Sequence, residues 1–250
     1  MQTPKEWNPL HLHTVYSNFD GTIGVSALVK WAETLGVSSV AVTDHGIMSA
    51  IPSLDKATSS SPVKPIFGCE LYIDPVLPNP EGLRPAHHLI ALAANKKGYH
   101  NLMKLLSYGH RENYFKKPRV TVEKVEEYAE GIIFSSACIA GELPSLLLRR
   151  DFDGARKFLS IMQTACRGNF YIELMDTGDR DTRQLAMNES LYSLAKETGT
   201  KMVFTCDAHY FAGEEAWYPH ILAVNKGSTL AEMKARSEKA ASEYDDNDVS

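Results

Sequence analysis

Pro9-Leu10-His11-Leu12-His13 is an apolar run that closes on two histidines one residue apart, and Met202-Val203-Phe204-Thr205-Cys206 leads in the same way into Asp207-Ala208-His209. Residues two apart in a strand share a face, so His-x-His and Asp-x-His each aim two donors at one ion. Between these ends, Thr43-Asp44-His45, Gly68-Cys69-Glu70, the His87-His88 doublet and Ser136-Ala137-Cys138 each stand at an edge of an apolar stretch. Together they form a dispersed set of nitrogen, oxygen and sulfur donors, larger than a single ion can use.

Working outward, β-rich apolar runs alternate with helical periodicity. The pattern predicts seven strands, near 9–13, 39–43, 65–73, 88–93, 131–135, 170–174 and 202–206. The clearest helices are predicted over 27–35, ended by Gly36; over 99–110; over 153–166, ended by Gly168; and over 180–198, ended by Gly199. Such alternation implies a parallel α/β architecture whose ligands gather at strand C-termini. His13, His45, Cys138 and Asp207 obey that rule. His88 begins its run instead, and a strand returning antiparallel through the 75–85 loop brings it to the same end.

The length, 250 residues, suits one large domain with a sizeable core. Four cysteines, Cys69, Cys138, Cys166 and Cys206, form no C-x-x-C pair, which points to a reducing compartment. The N-terminus carries no basic segment ahead of an apolar one, and no apolar run approaches membrane-spanning length, so a cytoplasmic location with no membrane partner is expected. A net charge of -5 argues against a nucleic-acid partner. The argument is weak, because part of that acidity belongs to the ligand candidates and three divalent ions would add about +6. From 231 to 250 the chain is charged and Ala-rich, ending in Asp245-Asp246-Asn247-Asp248, and reads as a solvated tail or the start of a linker beyond a domain spanning 1–230.

The segments Leu10-His11-Leu12-His13-Thr14, Thr43-Asp44-His45-Gly46, Gly68-Cys69-Glu70-Leu71-Tyr72, His88-Leu89-Ile90-Ala91, Ser136-Ala137-Cys138 and Asp207-Ala208-His209-Tyr210 resemble the PHP (polymerase and histidinol phosphatase) domain. Asn95-Lys96-Lys97-Gly98-Tyr99-His100-Asn101-Leu102, Lys117-Pro118-Arg119 and Cys138-Ile139-Ala140-Gly141-Glu142 narrow the resemblance to the version at the N-terminus of bacterial DNA polymerase III alpha subunits. The resemblance implies a distorted (β/α)7 barrel, TIM-like, with a site for two to three divalent ions (Zn, Mn or Fe). Carried over motif by motif, one ion takes His11, His13, Glu70 and Asp207. Glu70 bridges to a second held by His88 and Cys138, and the third takes Asp20, His45 and His209. Asp20 is assigned by the family's Ser-x-x-Asp-Gly segment; by spacing alone it is a plain turn residue.

Other residues keep plainer readings. Only one of His87 and His88 faces inward, and the His-Leu match selects His88. Cys69, Cys166 and Cys206 read as buried structural thiols. Asp44 is expected behind a ligand histidine, orienting it or moving a proton, and joins Asp207 and Glu70 in the expected catalytic set. Arg119 is a candidate for a substrate phosphate, against the commoner outcome of an exposed loop arginine.

The chemistry implied is metal-assisted phosphodiester hydrolysis, with 3′–5′ exonuclease action on DNA 3′ ends in replication and proofreading, and with a polymerase region or replisome subunits as partners. Two alternatives belong to other classes: a non-catalytic module that supports a polymerase, and a phosphomonoesterase of the histidinol phosphatase kind. The complete ligand set weighs against the first, and the replicase-type segments against the second.

Overall fold

A computed structural model describes residues 7–18, 20–79, 82–176 and 182–211. In chain order the elements are α1 (Val25–Leu35), β1 (Ser39–Val42), α2 (Ile51–Thr58), β2 (Lys64–Ile73), β3 (His87–Ala93), α3 (Lys96–Arg111), β4 (Tyr114–Phe115), β5 (Lys117–Val120), α4 (Val122–Tyr128), β6 (Ile132–Ser135), α5 (Glu142–Leu148), α6 (Phe152–Ala165), β7 (Phe170–Met175), α7 (Thr182–Thr198) and β8 (Met202–Thr205). The 231–250 tail, and the 212–230 end of the expected domain, lie outside the described residues.

The sheet curls into a distorted barrel. Strand β1 runs parallel to the first half of β2, β3 is antiparallel to both β2 and β6, and β7 and β8 continue parallel to β6. The antiparallel return expected for the His88 strand is therefore present, with Tyr72 opposite His88. The 9–13 segment forms no continuous ladder, yet it is bonded on both sides. Ala41 and Thr43 donate their N–H groups to the Pro9 and Leu12 carbonyls, His13 N donates to Ala208 O at 2.8 Å, and Leu12 bridges Ala208 in parallel. It thus joins β1 to the chain leaving β8 and closes a ring of the seven expected segments. Closing the ring in this way pairs backbone groups that an open sheet edge would leave to water.

Two apolar clusters fix this ring. The larger packs β2, β3, β6 and β7 against α3 to α7 through fully buried residues such as Leu102, Leu105, Phe134, Met162 and Phe170. The smaller packs Leu12, Ile23 and β1 against α1 and α2. Helix α1 shows why the sequence complies: Val25, Leu28, Val29 and Ala32 recur at helical spacing on one buried face. It stops at Gly36, whose φ of 69° lets Val37 N reach back to Ala32 O at 2.9 Å. Leu28 is wholly buried, so Leu28→Ala costs about 2–5 kcal/mol and loosens the helix from β1.

One expectation fails here. Arg119 does not lie in a loop: β4 and β5 form a hairpin with Phe115 opposite Lys117, and β5 then pairs with the end of β2, Tyr72 opposite Arg119. Periodicity gives no warning of strands two and four residues long that contain a proline. Pro118 is tolerated because it sits on a short peripheral strand with no central ladder to break.

Candidate metal centre

The strand ends place the donors. His11 and His13, two apart on the closing segment, both turn inward and are wholly buried. His45 follows β1 by three residues, and it is bridged to Glu70 in the middle of β2. His88 enters from the antiparallel β3. Cys138 leaves β6 through Ala137, which takes the left-handed conformation at φ 58°, and Asp207 leaves β8 in the same region at φ 48°. Left-handed non-glycine residues are uncommon and gather at functional sites, and an aspartate tolerates the conformation better than most.

The nine residues expected as ligands converge, and Glu70 is their hub. Its Oε1 lies 2.9 Å from His88 Nδ1 and 3.2 Å from His11 Nε2, while its Oε2 meets His45 Nδ1. Asp207 Oδ1 lies 3.0 Å from His11 Nε2 and 3.2 Å from His13 Nε2. Cys138 Sγ stands 3.5 Å from His88 Nδ1. On the outer side, Asp20 Oδ2 lies 2.7 Å from His45 Nε2 and 3.4 Å from His209 Nε2. The contacts thus divide into three lobes: His11, His13 and Asp207 on one side of Glu70, His88 and Cys138 on another, and His45, Asp20 and His209 toward solvent.

Two atoms test whether a metal suits this arrangement. Glu70 Oε1 and Asp207 Oδ1 are buried without a hydrogen-bond partner, although imidazole nitrogens crowd both. Buried carboxylate oxygens left unpaired are costly, and a shared cation is what relieves them. In three overlapping groups, His11–His13–Glu70, His45–Glu70–His88 and His13–His45–His209, the ligand atoms all lie within 4.8 Å of one another. A donor set of imidazole, carboxylate and thiol fits a divalent transition ion.

The charges within the cluster offset one another. Burial by itself disfavours the imidazolium of His11, but the Asp207 and Glu173 carboxylates outweigh it and hold His11 raised. Burial opposes the charge on His45 too, and its bonds to Asp20 and Glu70 lift it to about 9. Burial pushes the Glu70 carboxyl up, and the imidazoles of His11, His45 and His88 beside it bring it well below the usual range. The Cys138 thiol is raised by burial and by the Glu70 and Asp207 charges, so as a free thiol it is a slow nucleophile.

Behind these groups stand two supports, one of which the sequence reading missed. Glu173, buried in β7, accepts from Ser135 Oγ and from Thr205 Oγ1 at 2.8 Å, and its Oε2 lies 3.0 Å from His11 Nδ1. It fixes the ring so that Nε2 points into the cluster. A lone acid inside the apolar Phe170–Met175 strand was the available signal. Asp44 acts through an intermediary: it accepts from Ser17 Oγ at 2.7 Å and from Thr14 N and Oγ1, and Ser17 Oγ meets His13 Nδ1 at 3.0 Å.

Arg119 stands apart. It is 3% exposed, not an exposed loop residue, and its guanidinium is taken up by Asp74 and by the carbonyls of Arg84, Pro85 and Phe115. It clamps the hairpin to the 74–85 connection and is not free for a substrate phosphate. His87 turns away from the cluster, toward Ala140 O at 3.3 Å.

The PHP domain family model matches residues 9–177. This chain belongs to the PHP domain family. Among curated relatives it is 38% identical over 221 residues to DNA polymerase III subunit alpha of Treponema pallidum, covering 85% of this chain and 18% of that protein. It is 34% identical over 257 residues to the Helicobacter pylori subunit of the same name, covering 98% of this chain and 21% of the relative. The chain therefore spans about a fifth of the length of these relatives. Among solved structures, a candidate metal-dependent phosphoesterase from Bifidobacterium adolescentis matches with a TM-score of 0.53 at 12% identity, over 83% of this chain and 89% of that one. That likeness shows the PHP fold as a distorted TIM-like barrel. No helix among the described residues is long and apolar enough to cross a membrane.

Proposed function

We propose that this chain is a metal-dependent phosphodiesterase, a 3′–5′ exonuclease on DNA 3′ ends that serves replication proofreading as the PHP region of a polymerase III alpha-like protein in the cytoplasm. The observation that carries the reading is the three-lobed donor cluster around Glu70, with its unpartnered oxygens on Glu70 and Asp207. His11, His13, Glu70 and Asp207 would hold one ion, Glu70, His88 and Cys138 a second, and Asp20, His45 and His209 a third. Divalent ions (Zn, Mn or Fe) bound there supply an activated water and neutralise charge on the phosphate oxygens.

The protein's share is positioning. Glu173 holds the His11 ring from behind, and the Asp44–Ser17 pair holds the His13 ring, so both Nε2 atoms converge without rotamer loss on binding. Glu70 spans the inner lobes and also reaches His45, which makes it the residue through which the positions communicate. Asp20, 44% exposed at its side chain, lies at the solvent edge, where a strand end can approach.

Elemental analysis of the purified chain is expected to find two to three ions. Loaded with Mn, it is expected to shorten a 5′-labelled single strand stepwise from the 3′ end, releasing nucleoside monophosphates. Comparable kcat/KM on histidinol phosphate overturns the substrate assignment.

A further inference from the structure

We propose that the β4–β5 hairpin is a single-strand binding platform at the mouth of the donor cluster, with Lys117 taking a backbone phosphate and Tyr114 and Phe115 stacking bases. This deepens the phosphodiesterase reading and rests on it.

Position comes first. The Tyr72 ring lies 6.2 Å from the His45 ring at 23°. Lys117 Nζ donates to the Tyr72 hydroxyl at 3.2 Å and sits 4.9 Å from its ring centre. Gly46, next to His45, is seated under the hairpin: a Cβ there would come within 3.0 Å of Pro118 Cγ and 3.1 Å of Tyr72 Cε2. His110 donates Nε2–H to Gly46 O at 2.9 Å, and its ring meets Tyr114 at 6.5 Å. Through Tyr72, Gly46 and His110 the hairpin is fixed to the segment that carries His45.

What it displays is unusual for a strand pair so well anchored. Tyr114 is 61% and Phe115 49% exposed. Two adjacent large aromatics each leave about half or more of their surface in water and forgo that share of their burial energy. The surrounding charge selects the occupant. Arg84, Lys116 and Arg119 lie 5.1–6.0 Å from the Phe115 ring centre. Arg84 and Arg119 share the one carboxylate of Asp74, and no carboxylate among the described residues pairs with Lys116 or Lys117. Exposed aromatic faces within a field of excess positive charge match a single-stranded polyanion, whose bases offer π-faces and whose phosphates offer charge. An apolar protein partner has no use for the unpaired lysines.

The test measures anisotropy of fluorescein-labelled phosphorothioate dT12, which resists turnover, with the wild-type chain and with Tyr114→Ala/Phe115→Ala, Phe115→Trp and Lys117→Gln. Each lost stacking position is expected to weaken binding about 5- to 150-fold, and Phe115→Trp is expected to retain it. Lys117→Gln is expected to lower the slope of log Kd against log salt by about 0.7, a change the aromatic variants do not share. Melting curves establish that each variant is folded. An unchanged Kd in the folded double alanine variant, or no dT12 binding by the wild type, overturns the platform. Hydrolysis of bis(p-nitrophenyl) phosphate by the Mn-loaded wild type reports separately on the phosphodiesterase reading, so the two failures are distinguishable.

Discussion

Glu173→Gln separates a support for the metal centre from a support for the fold. Oε2 of Glu173 faces both His11 Nδ1, at 3.0 Å, and Thr205 Oγ1, at 2.8 Å, while Oε1 takes the Ser135 hydroxyl. A glutamine can keep its oxygen toward His11 and Thr205 and turn its amide to Ser135, whose hydroxyl rotates to accept. Hydrogen-bond count and volume survive, and only the negative charge behind His11 is lost. A bond to a charged group is worth about 1.5–3 kcal/mol and a neutral one about 0.5–1.5, so each of the three bonds weakens by roughly 1 kcal/mol. Relief of burying an ionised carboxylate, worth several kcal/mol, offsets most of that and leaves a net folding change of roughly 1 kcal/mol. The larger effect falls on the metal: losing the carboxylate behind a ligand histidine costs 10–100-fold in affinity, about 1.4–2.8 kcal/mol. Competition with a chromophoric chelator measures the affinity, and a metal-free thermal melt measures the fold. Unchanged metal affinity in the variant would falsify the assignment of Glu173 as the group that orients His11.

Asp207→Asn keeps the shape of the side chain but removes the charge shared by His11 and His13, so hydrolysis is expected to vanish while circular dichroism is unchanged; persisting activity in the purified variant removes Asp207 from the site. Cys138 is expected to resist iodoacetamide in the metal-loaded protein and, being only half-buried, to react once chelator strips it, slowly because its thiol is raised, whereas Cys69 and Cys166, fully buried, stay protected until unfolding; equal protection of Cys138 in the folded, demonstrably metal-free state over the same labelling time contradicts its role as a ligand. The metal-free melting temperature is expected to peak between about pH 4.5 and 6.5. Raised His11, His45 and His209 contribute stability that is whole below the unfolded value of 6.5 and is lost as pH climbs, through about 9 for His45. Depressed Glu70, Asp20 and Asp207 contribute stability that is lost as pH falls below their unfolded values of 4.5 and 3.8, and His13, lowered by burial, adds to the acid loss. A melting temperature that rises steadily from pH 6 to 9 refutes the charge compensation.

Six of the seven expected strands and the donor residues near their ends were legible in the chain because both signals are local, while the 9–13 segment joins the ring by an isolated bridge and separate backbone hydrogen bonds. Two-residue spacing fixes a face, and an apolar run that stops at a His or Asp marks a strand end. Spacing left His87 and His88 even, and only the resemblance to the family's His-Leu segment selected His88. Tertiary structure alone decided what lies at long range. Glu173 meets His11 across 162 positions of chain, and Asp44 reaches His13 only through Ser17, so no window of sequence contains either relation. Arg119 looked like a loop residue because its strand is four residues long; its clamp role exists only where β2, the 74–85 connection and the hairpin meet. Periodicity reports which face of an element is apolar, but the partner of a buried polar group is set by ring closure, which brings both ends of the chain's described barrel together at Leu12 and Ala208.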